Sequence, residues 1–213
     1  MKYEELDSKL NLSALQEEVL SFWKENHTFE KSLEGKNSEV VFYDGPPFPT
    51  GKPHHGTVLV SFIKDMIARY WTMRGNSVPR VWGWDCHGLP IENQAEKLLE
   101  IADKSIIEKS TSLETADEAA KVEGKVNDKW HRAVQGAVDE AARFPQFKGM
   151  HVGMAAFNNE CREIVSSNNE AWREYIEQMA RWVDYDHAYK TMTPQFMESV
   201  MWAFKTCYDK GLI

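Results

Sequence analysis

A short apolar run, a loop rich in proline and glycine, and a long apolar stripe follow one another near the start of this chain. The run Val40–Tyr43 is β-branched and aromatic, which predicts a strand buried on both faces of a parallel sheet. The loop extends from Asp44 to Thr57. Adjacent apolar pairs then recur every four residues from Val58 to Trp71, which predicts a helix that lies on the sheet and ends at Gly75. This order constrains the fold more than any other feature of the sequence.

A second strand, loop and helix follow in the same order. Residues Ser77–Trp84 predict a strand with Pro79 near its start, where a missing N–H is tolerated. The loop Asp85–Pro90 comes next, and Pro90 suits the first turn of a helix that continues through Leu99. This succession predicts an α/β fold, the first half of a doubly wound parallel (Rossmann-like) sheet with flanking helices. Ligands bind such sheets at the carboxyl ends of the strands, and both loops are expected at that edge.

Helices are predicted on both sides of this α/β part. Ser13 suits the N-cap of a first amphipathic helix, with a glutamine three residues later. Between Asp103 and Met150, Ala, Glu, Lys and Asp dominate and apolar residues keep a spacing of four, which predicts an inserted helical segment. Two further amphipathic helices are predicted, Phe157–Trp182 and Phe196–Tyr208, the second with Thr193 as its N-cap.

The composition fits a folded chain and excludes several classes of protein. Of the 213 residues, 42% are hydrophobic and 27% are charged, which is far from the composition of disordered chains. The net charge of -8 argues against a stand-alone nucleic-acid binder, because phosphate neutralisation needs clustered Lys and Arg. No apolar run approaches the ~18 residues of a membrane span, and the acidic start does not suit a secretory signal. We therefore expect a cytoplasmic protein without membrane contact.

The three cysteines, Cys86, Cys161 and Cys207, stand far apart and form no C-x-x-C pair. Neither a disulfide framework nor a zinc site is predicted from such a pattern. We expect them to be small buried side chains in a reducing compartment, and we expect no protein-bound zinc.

The loop before the predicted long helix ends in His54-His55-Gly56-Thr57. Histidine and glycine at the start of a helix that follows a parallel strand place imidazole N–H donors beside free backbone amides, and such a helix start binds phosphate. A glycine there lets a nucleotide approach the backbone closely, and the helix dipole favours anionic oxygens. Taken alone the four residues are weak evidence, because an isolated histidine is more often a core or surface residue than a ligand. The flanking strand, loop and helix favour the phosphate site.

Three blocks of the sequence resemble one family. The segment Phe42–Thr57 resembles the His-x-Gly-His region of class I aminoacyl-tRNA synthetases, and Pro46–Gly51 within it resembles the isoleucine-specific form. Gly83–Glu92 is similar to the second strand and loop of that form. The stretch Phe157–Leu212 contains several motifs similar to the region that joins the first half-sheet to the editing insertion. The resemblance covers most of the chain apart from roughly residues 103–150.

The resemblance implies the amino-terminal part of an isoleucine–tRNA ligase. In the full enzyme, isoleucine reacts with ATP, accompanied by Mg²⁺, to give isoleucyl-adenylate, and the acyl group then passes to tRNA(Ile). It implies two catalytic residues, His54 and Thr57. The ATP-binding residues that it implies are His54, His55, Gly56, Thr57 and Gly51. The isoleucine-binding residues that it implies are Pro46, Asp85 and Asp44.

Some of these residues also have a purely structural interpretation. Asp85 suits the substrate ammonium group by resemblance, yet the residue type alone is equally consistent with a helix N-cap or a loop brace. His87 could face the nucleotide or brace its turn. Trp82 and Trp84 are expected in the core rather than in contact with a ligand.

The resemblance also implies a division of the chain and marks two departures from the family. The parts are an amino-terminal helical extension (residues 1–37), the first half of the nucleotide-binding catalytic domain (38–102), an inserted helical segment (103–152), and a helical continuation toward an absent editing insertion (153–213). The signature ends in His in most members and in Thr57 here, which can donate a hydrogen bond but carries no charge. The family's Lys-Met-Ser-Lys-Ser loop and anticodon-binding helices lie outside these residues, so we expect tRNA to bind mainly elsewhere and the chain alone to turn over little.

Other functions remain open on the sequence alone. A small nucleotidyltransferase of the same superfamily shares the signature, although the isoleucine-type second block argues against it. A catalytically silent fragment that binds ATP or isoleucine, or one half of a split synthetase, is the alternative from another class. Phe196, Val200 and Phe204 on the last helix are expected to be partly uncovered, which favours aggregation or pairing.

Overall fold

The computed structural model describes residues 10–36, 38–144 and 151–213. Within these residues the chain forms ten helices and four short strands. The helices are α1 (Leu12–Glu25), α2 (Thr28–Lys31), α3 (His55–Met73), α4 (Leu89–Leu98), α5 (Ser105–Lys109), α6 (Leu113–Ala119), α7 (Asp128–Arg143), α8 (Val152–Ser167), α9 (Asn169–Gln178) and α10 (Pro194–Asp209). The strands are β1 (Val81–Trp84), β2 (Lys121–Val122), β3 (Lys125–Val126) and β4 (Asp184–Lys190).

The chain divides into two compact units. Unit 1 consists of the described parts of Met1–Asp44, Pro53–Trp82 and Trp172–Ala188, and unit 2 consists of the described parts of Gly45–Lys52, Gly83–Ala171 and Tyr189–Ile213. Strands β1 and β4 pair in a two-stranded sheet, and each strand begins in unit 1 and ends in unit 2. In unit 1 the N–H of Asp184 donates to the carbonyl of Arg80, and in unit 2 the N–H of Thr191 donates to that of Trp84, so the strands are parallel.

The predicted α/β class is confirmed to the extent of a mixed fold with a small parallel sheet. The prediction of a doubly buried strand at Val40–Tyr43 is wrong. This segment makes one parallel bridge, between Glu39 and Ser77, and belongs to no strand. Val41 is 66% exposed and Tyr43 is 93% exposed, whereas the alternate side chains are half-buried. Burial with a period of two means that one face is covered, which a continuous apolar run does not reveal.

The second predicted strand is shorter than expected. Ser77 takes part in the isolated bridge, and β1 begins only at Val81. Ser77 bridges to Glu39 and β1 pairs with β4, so the two segments have different partners. Pro79 lies between them and has no N–H to donate. Trp82 and Trp84 are each 1% exposed, which confirms that they are core residues.

Helix α3 is confirmed, but the face that it buries is not the predicted one. Its buried residues are Ser61 and Ala68, and the half-buried side chains of Lys64, Asp65 and Thr72 share that face. The apolar stripe lies on the exposed side and comprises Leu59, Val60, Phe62, Ile63, Met66, Ile67, Tyr70, Trp71 and Met73. The polar face turns inward because hydrogen bonds and ion pairs from other parts of unit 1 satisfy it.

Two helix boundaries differ from the prediction. The N-cap of α1 is Asn11, whose side chain accepts a hydrogen bond from the N–H of Ala14 at 3.2 Å, and Ser13 lies within the helix. The single helix predicted over Phe157–Trp182 is two helices, α8 and α9. They separate at Asn168, in a run of Ser and Asn residues that compete with helical hydrogen bonding.

Strand β4 follows α9 and was not predicted. The chain leaves α9 through Ala180, which has a left-handed φ of 56°, and enters β4 at Asp184. The last helix, α10, begins after Thr193, whose side chain accepts from the N–H of Phe196 at 3.4 Å. The predicted cap and position of this helix are therefore confirmed.

The described part of residues 103–152 forms helices and a short hairpin, and it contributes to the hydrophobic core of unit 2 together with α4 and α8. Helices α5, α6 and α7 and the antiparallel hairpin β2–β3 lie between α4 and α8 in the sequence. Trp130 is fully buried, and its Nε1–H donates to Ser110 Oγ at 3.2 Å. The buried members of this cluster are Ala95, Leu99, Ile106, Ala116, Ala120, Trp130, Val134, Ala137, Ala156, Phe157 and Ile164. Residues 145–150 of the predicted segment lie outside the described residues.

Candidate functional site

The four residues His54 to Thr57 form the first turn of α3 in unit 1. His54 is the N-cap, and its Nδ1 accepts a hydrogen bond from the N–H of Gly56 at 3.1 Å. Thr57 Oγ1 accepts from the N–H of His54 at 3.5 Å, which completes a reciprocal cap. In a neutral imidazole, an accepting Nδ1 requires the proton on Nε2. The exposed ring of His54 therefore presents Nε2–H as a donor.

This geometry corrects one detail of the predicted phosphate site. The N–H of Gly56, which was expected to be free for phosphate, donates to the imidazole of His54. A Cβ on Gly56 would lie 3.0 Å from Cε1 and 3.1 Å from Nδ1 of that ring. A larger residue here would therefore displace the imidazole by a few tenths of an ångström from the helix start. The hydroxyl of Thr57 accepts from the backbone and still has its own hydrogen to donate.

Asp44 lies in unit 1, and its carboxylate is engaged by two cations. Oδ1 accepts from Lys64 Nζ and Oδ2 accepts from Arg181 Nη2. The side chain of Asp44 is 6% exposed and that of Arg181 is 5% exposed. The carboxylate of Asp44 is therefore buried and held in ion pairs within unit 1.

Unit 2 brings two of the predicted loops together. The N–H of Asp85, directly after β1, donates to the carbonyl of Pro47 at 3.0 Å, so the loop that contains Pro46 lies beside the carboxyl end of β1. Gly51 in the same loop has a φ of 146°, a value that favours glycine. The amide of Asn168 donates to the carbonyl of Pro49 at 2.9 Å and fixes the middle of the loop.

The structure excludes one of the interpretations of Asp85, that of a helix N-cap. The N-cap of α4 is Gly88, with no side-chain hydrogen bond, so Asp85 does not cap that helix. The half-buried carboxylate of Asp85 makes no hydrogen bond or ion pair with any residue that the structure describes. A carboxylate at the end of a strand with its oxygens available suits a substrate ammonium group.

The loop after β1 is braced by Thr191, a residue that the sequence did not single out. Thr191 Oγ1 accepts from the N–H of Cys86 at 2.8 Å and lies 3.1 Å from Nδ1 of His87. This contact favours the bracing role for His87.

Gly83 in β1 is required by packing, because an added Cβ would lie 2.1 Å from Cζ of Tyr189. Such long-range partners carry no local sequence signal.

A cavity of about 710 Å³ opens within unit 1, and none of the predicted site residues lines it. Arg80 is among its lining residues, is 4% exposed, and donates from Nη2 to Thr72 Oγ1 at 2.6 Å. Its guanidinium lies 5.6 Å from the ring centroid of Phe29 and 5.9 Å from that of Trp182. Burial lowers the pKa of Arg80 to about 10, so it stays charged at neutral pH and is stabilised by the aromatic faces.

Within the described ranges, no group of three or more His, Cys, Asp or Glu side chains is arranged to hold a metal ion. A Mg²⁺ ion that accompanies ATP is compatible with this, since its ligands can be phosphate oxygens and water. No helix among the described residues has the length and apolar character needed to cross a membrane.

Comparison with known proteins places the chain in a family. The family described as "tRNA synthetases class I (I, L, M and V)" matches residues 18–138 and 133–213, and the chain belongs to it. Among its relatives, the isoleucine–tRNA ligase of Corynebacterium diphtheriae is 43% identical over 201 residues, which is 93% of this chain and 15% of the relative. That of Rickettsia akari is 40% identical over 213 residues, or 99% of this chain and 16% of the relative. Isoleucine–tRNA ligase 2 of Pseudomonas fluorescens is 40% identical over 200 residues, which is 93% of this chain and 15% of the relative.

The chain spans about 15% of the length of the curated relatives that it matches. The resemblance to class I aminoacyl-tRNA synthetases is confirmed, and so is its isoleucine-type character at the level of similarity to these relatives. The match also argues against the small nucleotidyltransferase, because the matching family is that of the synthetases.

Proposed function

We propose that this chain provides the first half of the catalytic domain of an isoleucine–tRNA ligase, where ATP and isoleucine bind. The observation that carries the proposal is the family match over residues 18–213, with His54–Thr57 at the first turn of a helix. The proposal includes the finer fold prediction, in which residues 38–102 form the first half of a doubly wound sheet. It also includes the helical parts 1–37, 103–152 and 153–213 and a cytoplasmic location.

The proposed reaction needs no protein nucleophile. The isoleucine carboxylate attacks the α-phosphorus of ATP, the bond to pyrophosphate breaks, and isoleucyl-adenylate forms. The acyl group then passes to the terminal ribose of tRNA(Ile), which binds mainly to parts outside these 213 residues. Catalysis of this kind depends on positioning and on stabilisation of charge at the phosphoryl oxygens. Mg²⁺ would supply further charge neutralisation on the nucleotide.

The helix start of unit 1 is the proposed ATP-binding part. His54 donates from Nε2 to a phosphate oxygen, and its Nδ1 is kept as an acceptor by the N–H of Gly56. Thr57 holds the backbone of His54 and can donate its hydroxyl to a phosphate or ribose oxygen. His55 and the helix dipole add favourable interactions, and Gly51 lets the nucleotide approach the preceding loop.

The loop and strand end in unit 2 are the proposed isoleucine-binding part. The backbone of Asp44, in unit 1, is a separate proposal that follows from the resemblance. Asp85 accepts a charge-assisted hydrogen bond from the substrate ammonium group, which its unpaired carboxylate supports. Pro46 contributes an apolar wall for the side chain. An aliphatic site separates isoleucine from valine by only about 1–3 kcal/mol, a value for which this class of enzyme is the standard example.

Isoleucine-dependent exchange of pyrophosphate into ATP tests the proposal. Because the relatives extend far beyond the matched stretch, we expect the 213-residue chain to exchange little by itself. We expect exchange when the chain replaces the corresponding residues of the Rickettsia akari ligase. Exchange driven by valine or leucine in place of isoleucine would contradict the proposed substrate. Absence of exchange in the hybrid, with the fold intact, would favour a catalytically silent binding fragment.

A further inference from the structure

A buried ion pair joins Asp44 to Arg181 in unit 1. Both side chains are almost completely shielded from water, with exposed fractions of 6% and 5%. Lys64 on α3 contacts the second carboxylate oxygen and is 25% exposed. A buried carboxylate is unfavourable unless it is paired and hydrogen-bonded, so the position of Asp44 depends on these two cations.

The guanidinium of Arg181 is itself fixed in direction. Its Nη1 donates to the buried Ser61 Oγ at 3.3 Å, and its Cζ lies 4.9 Å from the ring centroid of Trp82. Arginine is a planar fork of donors that can satisfy a carboxylate and a hydroxyl at once while stacking on an aromatic ring. The ammonium of lysine cannot reproduce this combination of contacts.

These contacts connect three parts of unit 1 that are distant in sequence. Arg181 lies between α9 and β4, 137 residues from Asp44 and 120 residues from Ser61. Asp44 ends the extended segment that starts at Ser38, and the next residue begins the loop that contains Pro46. Fixing Asp44 to α3 therefore fixes the residue from which that loop departs.

We propose that Arg181 is a positioning residue for isoleucine binding, which acts by holding Asp44 against α3 with the help of Lys64. This inference rests on the proposed function, which assigns an isoleucine contact to the backbone of Asp44. The ATP-binding turn depends less on Arg181, because His54 and Thr57 cap α3 through their own hydrogen bonds.

The test compares Arg181→Met, Arg181→Lys and Lys64→Met in the 213-residue chain. Calorimetry measures the affinities for isoleucine and for ATP, and amide hydrogen exchange measures opening of residues 38–44. In Arg181→Met we expect the rate of amide hydrogen exchange at residues 38–44 to rise by about tenfold and the affinity for isoleucine to fall by about tenfold. We expect the affinity for ATP to change by less than about twofold. Arg181→Lys keeps the charge and is expected to fold and to recover part of both properties. Lys64→Met leaves the Arg181 contact and is expected to have smaller effects.

Arg173→Met is the matched control, because it also removes an arginine–carboxylate pair from unit 1, that of Arg173 with Asp186. The inference predicts no selective loss of isoleucine affinity in this variant. The inference is overturned if amide hydrogen exchange of residues 38–44 is as slow in Arg181→Met and Arg181→Lys as in the wild type. It is also overturned if ATP and isoleucine affinities fall together, or if Arg173→Met gives the same pattern. Wild-type chain that binds no isoleucine would contradict the proposed function and the assigned role, whereas the exchange data would still decide whether Arg181 holds Asp44.

Discussion

At the scale of single residues, the structure changes the meaning of the His54–Thr57 signature. The sequence predicts that the imidazoles of His54 and His55 and free backbone amides surround a phosphate. The structure uses part of that donor set internally, since Gly56 donates to His54 and His54 donates to Thr57. These internal hydrogen bonds leave fewer N–H groups for a phosphate, but they orient the imidazole of His54, whose Nε2–H is directed away from the helix turn. Thr57 completes this reciprocal cap through its hydroxyl.

Two substitutions of His54 separate its capping role from its proposed phosphate contact. His54→Ala removes both roles, so we expect a loss of about 1 kcal/mol in the free energy of unfolding in addition to weaker ATP binding. His54→Asn keeps a capping oxygen but removes the donor at the position of Nε2. We expect it to retain stability and to lose about tenfold in ATP affinity, the value of one hydrogen bond to a charged group. Equal ATP affinity of His54→Asn and wild type would exclude His54 from the ATP site.

Cys161 provides a prediction about pH. Burial, together with the neighbouring carboxylates of Glu92 and Glu160, raises the pKa of the Cys161 thiol from 9.0 to about 11. Because the unfolded chain ionises first, the thiol stabilises the fold fully below about pH 9, and this contribution is lost as the pH rises toward 11. We expect little alkylation of Cys161 at pH 8 in the folded chain and rapid alkylation in urea, measured by peptide mass spectrometry. Fast alkylation of folded Cys161 at pH 8 would contradict this assignment.

At the scale of secondary-structure elements, the sequence predicted helices better than it predicted their surroundings. Helix α3 and helix α10 were predicted from apolar periodicity and caps, which are local properties. The face that α3 buries was mispredicted, because Ser61 and Asp65 acquire partners that lie more than 100 residues away, Arg181 and Trp182. Strand β4 was missed for a related reason, since its pairing with β1 depends on contacts that no local pattern encodes.

The inserted helical segment gives a prediction about stability at the same scale. Trp130 is fully buried in the core of unit 2 and donates to Ser110, whereas Trp202 on α10 is 69% exposed. Trp130→Ala should lower the free energy of unfolding by about 3–5 kcal/mol through the cavity that it leaves. Trp202→Ala should change it by less than about 0.5 kcal/mol, and urea unfolding measures both. Similar losses in the two variants would show that the core is not built around Trp130.

At the scale of the whole molecule, much of the apolar surface remains uncovered. Val200 and Phe204 on α10 are 50% and 55% exposed, as expected, and the stripe on α3 is exposed as well. Continuous exposed apolar surface on a helix is typical of interfaces.

The family and its isoleucine-type motifs could be predicted from the sequence, because they rest on short contiguous strings such as Pro46–Gly51 and Gly83–Glu92. The contacts of Arg181 and Thr191 could not, since those partners meet only in the fold.

The proposed function predicts that this chain binds both an adenylate and an isoleucine group. The most direct test is calorimetric titration of the 213-residue chain with a non-hydrolysable sulfamate analogue of isoleucyl-adenylate, in which both groups are joined. We predict that the analogue binds more tightly than isoleucine or adenosine monophosphate alone, because linked groups bind with a smaller entropic cost. We also predict that His54→Asn and Asp85→Asn each weaken it. No binding of the analogue, or binding that neither substitution changes, would contradict the claim.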